Sequence, residues 1–147
     1  MGSSLRGKIY LVTLGILCST VGYRQVNAQL FESDSKRLSG AKMDITVKEV
    51  ERRPRASVIA VTINRLGSSV GSSFFILCSI RQLANQRGNF RYIVKVEEKP
   101  KPGQMTVGFL REPSEAPAAL GAEFTATDPI NGVIDLEQFA PICDGMK

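Results

Sequence analysis

The sequence predicts an α+β domain with antiparallel hairpins around one long amphipathic helix, in the order β-β-α-β-β, and a disulfide-attached C-terminal tail. Between Gly67 and Gly88, apolar residues recur at steps of three and four, the period of a helix with one buried face. The flanking runs alternate apolar and polar residues or are rich in β-branched residues, as strands are. One cysteine in the helix and another near the C-terminus predict the bond that holds the tail.

The helix is expected at residues 69–87. Serines around Val70 can accept hydrogen bonds from the free N–H groups of a first helical turn. Arg87 and Gly88 are typical of a helix end, because a cation suits the negative end of the helix dipole and glycine suits a left-handed cap. The pattern therefore specifies both ends of this element.

Four runs of residues have the composition of strands. In the third run, Tyr92, Val94 and Val96 fall on one side, which we expect to face the helix. If the strands that the helix joins are parallel, the crossover is expected to be right-handed. The strands are expected at residues 43–50, 58–63, 90–97 and 105–110.

Residues 1–28 have the pattern of a secretory signal peptide. Arg6 and Lys8 precede an apolar run, and Val26 and Ala28 occupy the positions that signal peptidase reads. The alternative is a retained membrane anchor, but the run is shorter than the roughly 20 residues that span a bilayer. We therefore expect an exported protein, periplasmic or secreted, that has no transmembrane segment once the signal is removed.

The remaining chain is expected to form one domain. Residues 29–42 are polar and predict a flexible leader. Residues 43–147 are long enough for a single core and predict one α+β domain. The sequence gives no indication of the oligomeric state.

The charge and the composition of the chain argue against binding to nucleic acid. The full chain carries +5 at pH 7, but Arg6, Lys8 and Arg24 lie in the predicted signal peptide, so the remainder carries +2. Proteins that bind single-stranded nucleic acid stack the bases on aromatic side chains, but no aromatic residues alternate with the arginines of residues 52–55. We therefore predict no nucleic-acid binding.

The chain contains no histidine, which removes the usual general base and the Ser-His and Cys-His nucleophile pairs. Two thiols alone do not complete a zinc site, and the serine-rich run at residues 67–73 lacks the Gly-Lys-Ser/Thr ending of a phosphate loop. We therefore predict no catalytic residue, no metal and no cofactor. The alternative is a small hydrolase that uses a serine or carboxylates. The carboxylate pairs considered are Asp128 with Asp135 and Glu97 with Glu98.

Cys78 and Cys143 remain after signal removal, and in an exported chain such a pair favours a disulfide. On a helical projection Cys78 lies away from the face expected to meet the sheet, so the tail would cross the outer side of the helix. The alternative is two buried free thiols.

Basic residues concentrate in two turns, expected at opposite ends of the sheet. Arg52, Arg53 and Arg55 form the first, and Lys99 and Lys101 the second. Guanidinium groups can hold phosphate or carboxylate through two hydrogen bonds, so the arginines are the candidate contact with an anionic surface. The alternative is a merely solvated turn. The sequence thus predicts a small non-catalytic domain that acts by surface binding to a protein or an anionic envelope component.

Overall fold

A computed structural model describes residues 29–128 and 131–146, so the predicted signal peptide lies outside the described residues. The described chain forms a curled antiparallel sheet with two α-helices, which fits the predicted α+β class. The strands are β1 (Glu32–Asp34), β2 (Asp44–Arg53), β3 (Ala56–Arg65), β4 (Tyr92–Glu97), β5 (Gln104–Leu110) and β6 (Ile134–Asp135). The helices are α1 (Ser69–Gly88) and α2 (Ala140–Gly145).

The six strands lie in the order β1-β2-β3-β5-β4-β6, and each neighbouring pair is antiparallel. Because β5 is antiparallel to both β3 and β4, those two strands run in the same direction, and α1 connects them. The predicted order β-β-α-β-β is wrong, since β1 precedes it and β6 with α2 follows it. The short strands β1 and β6, which the sequence pattern did not predict, pair with the outer edges of β2 and β4.

Helix α1 begins at Ser69, as its sequence predicts, but its left-handed cap lies one residue beyond the predicted Gly88. The Ser68 hydroxyl accepts a hydrogen bond from the N–H of Gly71, and Asn89 ends the helix in the left-handed conformation, with φ 56°. The expectation of one amphipathic helix is wrong in two respects. A second helix is present, and the buried residues of α1 include Ser72 and Ser79 while Val70 is 65% exposed. Strand β1 and the tail cover the part of the helix surface that contains Ser79, which hydrogen-bonds Ser33. The Ser72 hydroxyl instead donates to the backbone carbonyls of Leu66 and Ser68.

Part of the segment predicted to be a flexible leader, residues 29–42, belongs to the sheet. Strand β1 pairs with β2, and Phe31 is buried against the core. The Ser35 hydroxyl accepts a hydrogen bond from the N–H of Ile45 at 2.9 Å. The polar composition of this segment did not predict these contacts, because they depend on the single aromatic side chain of Phe31 and on backbone pairing.

The sheet has a core on each face. The α1 side contains Ile59, Leu83 and Phe109, and the other side contains Val94 and Phe124. Tyr92, Val94 and Val96 therefore face away from α1, so their predicted orientation is wrong, and it is Ile93 that packs on the helix side. Period-two alternation defines the two faces of a strand but does not say which face a helix will cover.

The segment after β5 packs on the second face through a contact that requires glycine. A Cβ at Gly108 would lie 2.6 Å from Leu120 and 2.9 Å from Phe124. These two residues belong to 3-10 turns at Pro117–Leu120 and Ala122–Phe124. The absence of a side chain at position 108 thus lets these turns approach the sheet closely.

The predicted disulfide between Cys78 and Cys143 is present. It joins the middle of α1 to α2, with 5.3 Å between the Cα atoms. Arg81 of α1 adds ion pairs to Glu137 and Asp144, each at 3.3 Å. The tail is therefore attached to α1 by one covalent bond and two ion pairs.

Candidate binding surface

The predicted arginines lie in the hairpin turn between β2 and β3, and each one is ion-paired. Arg52 pairs with Glu49. Arg53 pairs with Glu51 at 2.7 Å and also with Glu123. Arg55 donates hydrogen bonds to Glu115 at 2.7 Å and to the Phe109 carbonyl at 2.8 Å. We call this turn and its carboxylates, together with Arg87, the arginine end.

These pairs shift the acid–base equilibria of both partners. Hydrogen bonds to carboxylates raise the pKa of Arg52, Arg53 and Arg55 above the usual arginine value. The hydrogen bond from Arg55 lowers the pKa of Glu115 to about 2. The positive charge of the turn is therefore matched by negative charge within the same molecule.

Glu49 is a fully buried carboxylate at the centre of the arginine end. It accepts hydrogen bonds from Ser57 at 2.7 Å, from the N–H of Phe31 at 3.2 Å and from Arg52. Burial alone would raise the pKa of Glu49, but these hydrogen bonds outweigh it and hold the pKa below the usual range. The carboxylate is thus kept ionised inside the protein.

Arg87, in the last turn of α1, is the second cation of this buried cluster. It lies 3.2 Å from Glu49 and donates to the backbone carbonyls of Arg53, Pro54 and Ala56. Its guanidinium lies over the Phe109 ring, 5.1 Å from the centroid. Burial lowers the pKa of Arg87, although Glu49 opposes that effect. Arg87 therefore anchors the hairpin turn to the end of the helix.

Sequence reasoning missed this cluster, although one signal was present. Ile45 and Val47 alternate onto the buried face of β2, and the same period places Glu49 there too. The strand pairing is shifted between Glu49 and Glu51, a bulge that ends the alternation just beyond the buried carboxylate. Arg87 was assigned only to the helix end, because nothing local indicates that its partner lies 38 residues away.

The lysine turn lies at the other end of the sheet, as predicted. Strand register pairs Ala56 with Gly108 near the arginine end and Ala60 with Gln104 near the lysine turn. Beyond that pair, the N–H of Val61 donates to the Gly103 carbonyl at 2.9 Å. The two basic turns therefore do not merge into one patch.

The cations at this end have no charged partner. Within residues 29–128 and 131–146, the side chains of Arg65, Lys99 and Lys101 are exposed and make no ion pair or hydrogen bond. We call these three residues, with the exposed apolar residues beside them, the lysine end. Those apolar residues are Ile63, Leu66 and Val70, which are 48%, 46% and 65% exposed.

An open groove of about 260 Å³ runs along the lysine end between α1 and the sheet. Val61, Ile63 and Ile76 line it together with Met105, and two carboxylates, Glu97 and Glu98, line it as well. Glu97 is ion-paired with Lys95. The lysine end thus combines unpaired positive charge with accessible apolar surface.

Three of the four carboxylates considered for a hydrolase have structural partners, and Glu97 is the one already described. The fourth, Glu98, is exposed and makes no ion pair or side-chain hydrogen bond among the described residues. Asp135 is ion-paired with Arg91 at 2.7 Å and accepts the N–H of Glu137, and the hydrogen bond from Arg91 lowers its pKa. Asp128 accepts a hydrogen bond from the Asn131 side chain at 2.8 Å. These contacts fit helix capping and turn formation. In the described part of the chain, no group of three or more Cys, Asp or Glu residues is arranged to hold a metal ion.

Comparison with known proteins identifies no family for this chain. No family model, no curated protein and no solved structure matches it. Among the described residues, no helix combines the length and the apolar character needed to cross a membrane.

Proposed function

We propose that this protein is a small exported, non-catalytic domain that acts by surface binding, and that it binds an anionic partner through the lysine end. The observation that carries this proposal is the position of three unpaired cations, Arg65, Lys99 and Lys101, beside exposed apolar residues. Unpaired cations attract an anion without first losing an internal partner. Adjacent apolar surface adds favourable burial when a partner docks.

Two observations support export. The first 28 residues have the signal-peptide pattern, and the Cys78–Cys143 disulfide fits an oxidising compartment. The compartment we propose is the periplasm or the exterior of the cell. An intact-mass measurement of the protein recovered from that fraction would test the proposed cleavage before Gln29, because retention of residues 1–28 would contradict it.

The arginine turn is the weaker candidate for the same function. Arg52, Arg53 and Arg55 have the guanidinium groups that suit phosphate or carboxylate. An external anion there would have to displace Glu49, Glu51 or Glu115, or share an arginine with one of them. The candidate contact therefore moves from the arginine end to the lysine end.

The test compares two double variants of equal net charge. Lys99→Ala with Lys101→Ala removes two unpaired cations of the lysine end. Arg37→Ala with Arg111→Ala removes two exposed cations outside the lysine end, of which Arg111 interacts with Glu115. Binding to phosphatidylglycerol vesicles, a sulfated polysaccharide and an acidic peptide is measured at low salt. At about 1 kcal/mol for each basic residue near an anionic surface, the lysine variant should bind roughly tenfold more weakly or worse.

The control variant should retain most of the binding, since its cations lie outside the lysine end. Equal losses in the two variants would show that net charge alone is responsible. Failure of the parent protein to bind any of the three anionic probes at low salt would refute the proposed function.

A further inference from the structure

Strand β3 continues past its neighbour β5 and leaves a free stretch of sheet edge. Pairing with β5 ends at Ala60, and the next backbone contact on that side is the hydrogen bond from Val61 to Gly103. Backbone groups of alternate residues point the same way along a strand, so the N–H and C=O of Ile63 also point toward the β5 side. No described residue pairs with them.

The other side of β3 confirms this orientation. Ile63 lies opposite Ile45 of β2, and the N–H of Ile45 bonds to the Ser35 hydroxyl rather than to β3. Ile63 and Ile45 are therefore a non-hydrogen-bonded pair, in which the backbone groups of both residues point outward. The free groups of Ile63 are thus a donor and an acceptor of the kind that an added strand requires.

The free edge borders the apolar groove of the lysine end. Ile59 and Val61 pack on the α1 side of the sheet, so Ile63 also faces that side, where it is 48% exposed. A strand placed in line with β5 would run beside Ile63 and beneath the first turns of α1. One of its faces would cover Ile63, Ile76 and Met105, which line the groove.

The outer edge of β4 offers an internal comparison. Strand β6 covers only Tyr92 and Ile93, so the rest of that edge has no strand partner among the residues that the structure describes. There, Lys95 and Glu97 form an ion pair on the side facing α1, and charged residues of this kind discourage strand addition. The β3 edge carries an apolar isoleucine at the equivalent place. The chain protects one edge and leaves the other suited to a partner.

Charge and backbone chemistry select among occupants of the free β3 edge. A second copy of this chain would bring Arg65, Lys99 and Lys101 close to the same cations of its partner, which is unfavourable. A lipid surface does not supply the alternating donors and acceptors that a strand edge pairs with. An extended peptide supplies them, and acidic residues in it would complement the three cations.

We propose that the lysine end binds an extended, acidic segment of a partner protein, which adds to the sheet as a strand beside Ile63. Apolar side chains of the segment would enter the groove, and its carboxylates would meet Arg65, Lys99 and Lys101. This inference rests on the proposed function, because it uses the same cations. It adds the partner class and the mode of binding.

The test uses a short synthetic peptide of alternating valine and threonine with glutamates at both ends, in three forms. The second form replaces alternate residues with proline, which removes the N–H groups needed for pairing. The third form replaces the glutamates with lysines. We expect the first form to bind the purified protein, the other two to bind at least about tenfold more weakly, and exchange of the Ile63 amide proton to slow in the complex.

Two protein variants test the edge itself. Ile63→Glu places a negative charge at the free edge, and Val50→Glu makes the same change at a residue of similar exposure on β2. Only Ile63→Glu should abolish binding of the acidic peptide. Ile63→Pro removes a single N–H that has no partner among the described residues, so it should weaken binding while the chain remains folded.

The possible results separate the two proposals. Binding of anionic vesicles through Lys99 and Lys101, without any difference between the acidic and proline peptides, would overturn strand addition and leave the proposed function standing. Binding that depends on Ile63 but is equal for the acidic and lysine peptides would overturn the acidic partner. No binding to any anionic probe would overturn both proposals.

Discussion

The arginine end and the lysine end carry similar sequence signals but differ in their chemistry. At the arginine end, four arginines face four carboxylates, and one of these carboxylates is completely buried. At the lysine end, three cations have no partner within the described chain and lie beside exposed apolar residues. A cluster of basic residues therefore indicates a binding surface only if the fold leaves the charges unmatched. The following predictions test this difference, beginning with the largest effect.

The largest effect is expected from neutralising the buried carboxylate of the arginine end. Glu49→Gln leaves Arg87 and Arg52 without their shared counter-charge, and breaking a buried ion pair in this way costs about 3 to 5 kcal/mol. We expect the free energy of unfolding in urea to fall by about that amount. The matched control is Glu51→Gln, two residues along β2, where the ion pair with Arg53 is exposed and should contribute under about 1 kcal/mol. Equal losses in the two variants would show that Glu49 is no more important than a surface carboxylate.

The disulfide lies away from both the arginine end and the lysine end, so its removal should change stability without changing binding. Cys143→Ser opens a covalent link between residues 65 apart in sequence, which should lower the free energy of unfolding by about 2 to 4 kcal/mol. Because Cys78 lies in the middle of α1, binding of anionic probes at the lysine end should remain unchanged while the chain is folded. Thermal unfolding together with vesicle binding measures both quantities. A loss of binding at a temperature where the variant is fully folded would contradict the assignment of binding to the lysine end.

Acid should destabilise the protein mainly through the arginine end. The pKa of Glu115 is lowered from its ordinary value of 4.5 to about 2, so its stabilising contribution is complete above about pH 4.5 and is lost as pH falls toward 2. Glu49, whose pKa is also lowered, acts in the same direction. We expect the free energy of unfolding to decrease through this range, and the decrease to become shallower in Glu115→Gln. An unchanged slope in that variant would mean that the ion pair of Glu115 with Arg55 does not contribute.

The smallest expected changes in stability come from replacing one cation at each end, and they compare the arginine end with the lysine end most directly. Arg55→Met removes hydrogen bonds to Glu115 and to the Phe109 carbonyl, and we expect a loss of about 1 to 2 kcal/mol. Lys99→Met removes an exposed cation that has no side-chain partner in the described ranges 29–128 and 131–146, so the change in the free energy of unfolding should lie within about 0.5 kcal/mol. Thermal unfolding of both variants gives the comparison. A loss for Lys99→Met as large as that for Arg55→Met would reveal an interaction at the lysine end and would argue against its being free for a partner.

Local patterns and covalent chemistry determined much of this protein from the sequence alone. The period of residues 69–87 predicted α1, and its serine and Arg87-Gly88 signals located both ends close to the observed Ser69–Gly88. The cysteine pair predicted the disulfide. The position of the basic turns at opposite ends followed from the order of the strands around α1. Each of these features depends on neighbouring residues or on one strong pairing preference.

Tertiary structure alone decided which charges are available and which faces are covered. Glu115 and Glu123 lie 60 and 70 residues from the arginines that they pair with, so no local pattern could show that the predicted contact residues are already matched. Strand β1 and the face of Val94 likewise depend on partners distant in sequence. The physical reason is the same in each case: helix period and turn composition are local properties, whereas ion pairing and burial depend on segments that meet only when the chain folds.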